Sequence, residues 1–159
     1  MGDWRTEQKA KWIATERKLQ DDAREAMVGM LDRWPWEWYT TLTFRGSPHL
    51  GECYRAWGSL MHQLRARNAT PRYFRGTEWQ RRGVPHFHAL MFGVDDAMRR
   101  MDVVDWWGKF YGWARVFPYD RELGARHYVS KYMLKDARTR SGDWALEIGG
   151  QARLAFVPP

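Results

Sequence analysis

TEWQRRGVPHFHALMF, residues 77–92, is the stretch whose reading decides the fold. It reads as the facing parts of two strands, Pro71 to Gln80 and Val84 to Gly93, joined by the turn Arg81-Arg82-Gly83. Side chains alternate between the two faces of a strand, so His86 and His88 point one way and Phe87, Ala89 and Met91 the other. The apolar side supplies a core, and the imidazoles are left on the opposite face. The register then matters more than anything else. A three-residue loop, with Gly83 in the left-handed conformation, sets Glu78 opposite His86. A two-residue loop sets Glu78 opposite Phe87 and separates the carboxylate from both imidazoles. In the first register Glu78, His86 and His88 form a donor set that suits a divalent ion with open coordination positions. The alternatives are histidines without a metal, and a structural zinc site. Structural zinc usually takes four protein ligands and would need His127 as the fourth.

Working outward, residues 4–33 are polar, charged and poor in glycine and proline, with apolar residues at mostly helical spacing. They predict a long amphipathic helix, broken at most once, ending before Pro35. WEWYTTLTFR (36–45) is rich in aromatic and β-branched residues and predicts a strand. A helix follows over residues 51–68, and after the hairpin another over 95–110, with Asp95 or Asp96 as its cap. GWARVFPY (112–119) predicts a short strand and 121–137 a last helix; WALEI and ARLAFV read as further strand pieces. Without its leading helix the order is βαββαβ and then a helix. The fold class is therefore α+β, a ferredoxin- or RRM-like split βαβ with a central antiparallel sheet, an N-terminal helix and a C-terminal helix. Helices cover one sheet face and leave the other open to a ligand. The expected organisation is one domain over 1–159: an N-terminal helical extension (1–34), a motif-bearing core (36–137) and a C-terminal extension (138–159).

The chain has 159 residues, 26 Lys+Arg against 19 Asp+Glu, and a net charge of +7. With eleven tryptophans among the cations, it suits a polyanion, and single-stranded nucleic acid in particular, where bases stack and phosphates pair with basic side chains. Most of those tryptophans are expected in the core. The one cysteine, Cys53, excludes a disulfide framework. No apolar run approaches the ~18 residues of a membrane span, and no signal-peptide core opens the chain, so a cytoplasmic, non-membrane protein is expected. The phosphate-binding GxxxxGK[ST] pattern is absent, so a helicase motor is not expected within the chain.

HYVSKYMLKD (127–136) carries the second constellation. Tyr128, Lys131, Tyr132 and Lys135 follow i, i+3, i+4, i+7 and share one helical stripe, while Val129, Met133 and Leu134 form another. One reading is a solvated face with half-buried tyrosines. The other is chemical: a phenol can attack a phosphodiester and hold it as a phosphotyrosine, with lysines balancing the charge.

WYTTLTF (38–44), PHFHAL (85–90) and YVSKYMLKD (128–136), in that order, together resemble the HUH endonuclease superfamily. More narrowly they are similar to rolling-circle replication initiator (Rep) proteins of plasmids and single-stranded DNA phages, of the two-tyrosine type. The resemblance implies Glu78, His86 and His88 as ligands of Mn²⁺ or Mg²⁺. It implies Tyr128 and Tyr132 as nucleophiles, supported by Lys131 and Lys135; the second YxxK match that follows Tyr128 favours it as the first to act, and functional equivalence of the two is the alternative. A 5′-phosphotyrosine intermediate and a free 3′-hydroxyl would start replication. Thr41 and Thr43 fall in the first motif, near the site or positioning DNA. Arg75, Arg81 and Arg82, with Arg65, Arg67 and Arg72, are candidate backbone contacts. The implied partners are single-stranded or hairpin origin DNA, with a helicase and polymerase of the host cell. A transposase or relaxase with the same chemistry is a near alternative, and a non-catalytic RRM-like module that binds single-stranded nucleic acid is a more distant one.

Overall fold

The computed structural model describes residues 4–129, 144–148 and 152–156. The chain divides into two compact units, residues 1–34 and 35–159. The first is carried by α1 (Trp4–Leu31), a single unbroken helix of 28 residues. No proline interrupts it, and its only glycine is Gly29, near the end.

The second unit contains β1 (Trp38–Leu42), α2 (Leu50–Ala66), β2 (Arg72–Trp79), β3 (Pro85–Phe92), α3 (Arg100–Phe110), β4 (Ala114–Pro118), α4 (Gly124–Tyr128), β5 (Trp144–Ile148) and β6 (Ala152–Phe156). The strands form one sheet in the order β4-β1-β3-β2-β5-β6, with every pairing antiparallel. Its first four strands are the expected split βαβ. The β1–α2–β2 crossover leaves room for β3, and the β3–α3–β4 crossover leaves room for β1. WALEI (144–148) and ARLAF (152–156) add the β5–β6 hairpin beside β2.

One sheet face is packed by α2 and α3. Trp57, Leu60 and Leu64 of α2 and Val103 and Trp107 of α3 join Trp38, Leu42, Phe87, Ala89 and Met91 of the strands in one core. Phe87 is fully buried, with its ring centroid 5.5 Å from Phe44, 5.8 Å from Tyr54 and 6.1 Å from Trp57. This burial holds β3 with its histidines turned outward.

The hairpin takes the three-residue loop. The Gln80 amide donates to the Val84 carbonyl (3.0 Å), the Gly83 amide donates to Gln80 (2.8 Å), and Gly83 has φ +74°. A left-handed residue at this position costs glycine little. Glu78 consequently pairs with His86.

Two helix starts differ from expectation. α3 begins at Arg100 and not at Asp95, because the Glu37 carboxylate accepts the amides of Val94 (2.8 Å) and Asp95 (2.9 Å) and fixes that segment as a loop. Arg99 takes the cap position, and its guanidinium binds Asp102 (2.8 Å) in the first turn. α4 begins at Gly124, after a turn at 121–123 in which the Asp120 carboxylate accepts the Glu122 amide (2.9 Å). The expected continuation of the last helix from residue 130 to 137 lies outside the described residues. No helix among the described residues is long and apolar enough to cross a membrane.

Phe87→Ala should cost about 3–5 kcal/mol of unfolding free energy, as expected for an aromatic removed from a filled core. Chemical denaturation measures this, and a loss within about 1 kcal/mol would mean that Phe87 does not anchor β3.

Candidate metal centre

Glu78 is contributed by β2, and His86 and His88 by β3. Glu78 and His86 are directly opposed and His88 lies two residues further along, so all three share the face opposite Phe87, on which Phe74 and Leu90 are also fully buried. Their ligand atoms converge. Glu78 Oε2 is 2.8 Å from His86 Nε2 and 2.9 Å from His88 Nε2, and the two Nε2 atoms are 3.2 Å apart. His88 is buried, while Glu78 and His86 are half-buried. Among the described residues this is the cluster that could hold a metal ion, and His127 is not part of it.

A surrounding layer orients each ring. Tyr39 Oη lies 2.9 Å and Thr41 Oγ1 3.2 Å from His88 Nδ1. Gln80 Nε2 lies 3.3 Å from His86 Nδ1. Both imidazoles therefore turn Nε2 toward Glu78 and have Nδ1 engaged, an arrangement common among metal-binding histidines. Burial alone would push the Glu78 carboxyl up. The hydrogen bonds and positive charge offered by His86 and His88 outweigh it and hold the carboxyl below its ordinary value.

Tyr128, in the last turn of α4, packs on this face. Its ring centroid is 4.7 Å from Tyr39 and 4.9 Å from Tyr119. It is 6% exposed, and its hydroxyl accepts the Asp120 amide at 3.0 Å. Tyr39 thus touches both constellations, His88 through its hydroxyl and Tyr128 through its ring. Lys131, Tyr132 and Lys135 lie outside the described residues.

A family model described as replication-associated protein ORF2/G2P matches residues 37–137. The chain belongs to that family. No curated protein and no solved structure matches it significantly. The matched range contains the whole Glu78-His86-His88 cluster and both tyrosines, and it ties the chain to replication.

In this replication-associated protein the residues expected to contact DNA separate by face. Thr41 stands beside His88. Thr43 is exposed to its backbone neighbour instead: its hydroxyl donates to the Trp113 carbonyl (3.0 Å) and accepts the Trp113 amide (3.2 Å). Arg75 pairs with Ala89 and lies on the core face, 8% exposed, with its guanidinium carbon 4.7–5.1 Å from the ring centroids of Phe87, Tyr54 and Trp57. Its place is under α2, away from the open face, because strand alternation turns it with Phe87 and away from Glu78. Arg82 ties the hairpin tip to the end of β1, donating to Phe44 O (2.6 Å), Gly46 O (2.8 Å) and Gln80 Oε1 (2.8 Å). Through Gln80 it braces His86. Arg81 is exposed at the tip.

A concavity of about 260 Å³ opens beside the cluster, lined by Thr41, Thr43, Gln80, His86, Trp113, Ala114 and Arg115. Trp113 and Arg115 were not singled out from sequence. The alternation of outward Trp113, Arg115 and Phe117 with buried Gly112 and Val116 was the available signal.

A carboxyl held below its ordinary value in the folded state adds stability above about pH 4.5 that is lost as pH falls through the folded value. With a chelator present, wild-type protein should therefore be more stable than Glu78→Gln near neutral pH. The gap should close as pH drops below about 4.5. Denaturation curves across pH test this, and a gap that does not change with pH would refute it.

Proposed function

We propose that this chain is a site-specific, metal-dependent DNA nicking and joining enzyme of the HUH kind, which initiates rolling-circle replication through a 5′-phosphotyrosine intermediate. The observation that carries this reading is the convergence of Glu78 Oε2 and the two Nε2 atoms at 2.8–3.2 Å. Metal–ligand bonds of about 2.1 Å at right angles place neighbouring ligands about 3.0 Å apart. The three atoms are thus spaced as neighbouring ligands of one divalent ion, which Glu78, His86 and His88 would hold. Two imidazoles with one carboxylate favour Mn²⁺ over Mg²⁺, which prefers oxygen ligands. A divalent ion held there would polarise the scissile phosphate and neutralise charge in the transition state.

The chain's own groups supply the rest. A tyrosine oxygen attacks the phosphorus and gives up its proton, the P–O3′ bond breaks, and the released 3′-oxygen takes a proton. The new hydroxyl primes a polymerase of the host, and a host helicase opens the duplex. Lys131 and Lys135 balance the phenolate and phosphate charge. Joining is the reverse attack, by the hydroxyl or through the second tyrosine. The repeated YxxK pattern favours Tyr128 as first nucleophile. The burial of Tyr128 and its bond from Asp120 favour the other order, with Tyr132 attacking first and Tyr128 serving the joining step. The target strand is single-stranded or extruded as a hairpin, since its phosphate must reach the open sheet face.

Tyr39→Phe should weaken Mn²⁺ binding about tenfold while leaving the fold intact, because it removes one partner of His88 Nδ1. Titration calorimetry reads this, and unchanged affinity would deny Tyr39 the role. Labelled origin DNA mixed with protein and Mn²⁺ should give a denaturant-resistant, protease-sensitive adduct. Tyr132→Phe should abolish that adduct and Tyr128→Phe should retain it. An adduct that survives the double substitution would sink the tyrosine mechanism.

A further inference from the structure

We propose that the outward side of β4 is a base-stacking track for single-stranded DNA, in which Trp113 stacks an unpaired base beside the metal centre and Arg115 binds the adjoining phosphate. The proposal takes the identity of the strand from the nuclease reading and its own support from the edge of the sheet.

Along GWARVFPY the residues that face outward are Trp113, Arg115 and Phe117. Gly112 and Val116, which alternate with them, are buried. Arg115 pairs with Thr41 and Phe117 with Tyr39, while Thr41 pairs with His88 on its other side. Arg115 therefore lies in the same row as His88, two strands away, or about 10 Å at ordinary strand spacing. Trp113 is 76% exposed and Phe117 53% exposed. One exposed aromatic is ordinary on a protein surface. Two that bracket an arginine on the ligand-bearing face of a sheet form the combination that stacks bases and neutralises phosphates.

Trp113 is also held in place from its backbone. The Thr43 amide donates to the Trp113 carbonyl at 2.7 Å, and the Thr43 hydroxyl bonds both the carbonyl and the amide of Trp113. Gly112 permits this close approach: a Cβ there would lie 2.5 Å from Thr43 O and 2.8 Å from Arg45 N. The indole is thus exposed on a fixed backbone, which lowers the ordering cost of binding. It borders two concavities, the one beside His86 and a second of about 500 Å³ that includes Arg45, Asp105 and Gly108. The strand then runs from the metal centre past Arg115, with bases on either side of Trp113.

The test measures binding of a dye-labelled oligothymidylate and of an abasic deoxyribose-phosphate oligomer of equal length, by fluorescence anisotropy with a chelator present. Wild-type protein should prefer the thymidylate by about tenfold or more, the usual scale of one stacked base. Trp113→Ala should erase that preference by weakening thymidylate binding alone, and Trp113→Phe should keep most of it. Arg115→Gln should weaken both oligomers and reduce the salt slope by about 1. The track is overturned if wild-type protein shows no preference, or if Trp113→Ala leaves thymidylate binding unchanged or weakens both oligomers equally. No nicking occurs in chelator, so the two readings fail separately. Base preference without any Mn²⁺-dependent adduct would remove the nuclease and keep the track, and an adduct without base preference would do the reverse.

Discussion

The pairing of Glu78 with His86 is the constraint on which the site depends. Strand side chains repeat every two residues, so a slip of one residue in the β2–β3 hairpin would set Glu78 opposite Phe87, on the same face as that ring, and part it from both imidazoles. Two separate features prevent it. Gly83 closes a three-residue loop with a positive φ, and Phe87, Ala89 and Met91 are buried against α2 and the neighbouring strands. The chemistry on one face is thus held in register by packing on the other. The carboxylate and imidazoles, which are linked to one another through Nε2 and Oε2, are held in that register and do not choose it.

The two faces divide the charged residues as well. Arg75 and Glu78 lie three residues apart on β2, yet the arginine is buried among aromatic rings on one face while Glu78 and His86 are partly exposed on the other. A guanidinium is tolerated there because its flat, weakly hydrated surface stacks on the rings of Tyr54, Trp57 and Phe87. On the face of the cluster Tyr39 joins the candidate metal ligands to α4. Its hydroxyl fixes the His88 ring and its own ring receives Tyr128. A shift of α4 would therefore be felt at His88, through one aromatic side chain.

The split βαβ plan and the convergence of Glu78, His86 and His88 were legible in the sequence, the second because it follows from period-two alternation and one glycine turn. Helix starts were less so. Asp95 looks like a cap, but its amide is taken by Glu37, a residue 58 positions earlier, which no local pattern reveals. The arginines were read by charge, and charge alone does not say which face a strand residue takes. Arg75 shows this, since its position relative to His88 already implied the core side. Arg82 is exposed as expected, but its donors reach the backbone of Phe44 and Gly46, a contact between segments that are remote in sequence. Trp113 was hidden among eleven tryptophans, and only its exposure separates it from those that fill the core.

That exposure bears on how an open sheet face can bind a strand without a deep pocket. A shallow surface cannot exclude water around each phosphate, so arginine contacts on it remain screened and weak. Stacking does not suffer in the same way, because it removes apolar surface from water on both partners. If the face presents a phosphate to Glu78, His86 and His88, as proposed, it gains most from a rigid aromatic close by, which would order the neighbouring base and so limit where the phosphate can lie. Thr41 on β1 and Thr43 one residue beyond its end touch the two halves of this arrangement: the first bonds His88 and the second holds the backbone of Trp113. One alternating strand thereby sets the distance between the metal centre and the indole.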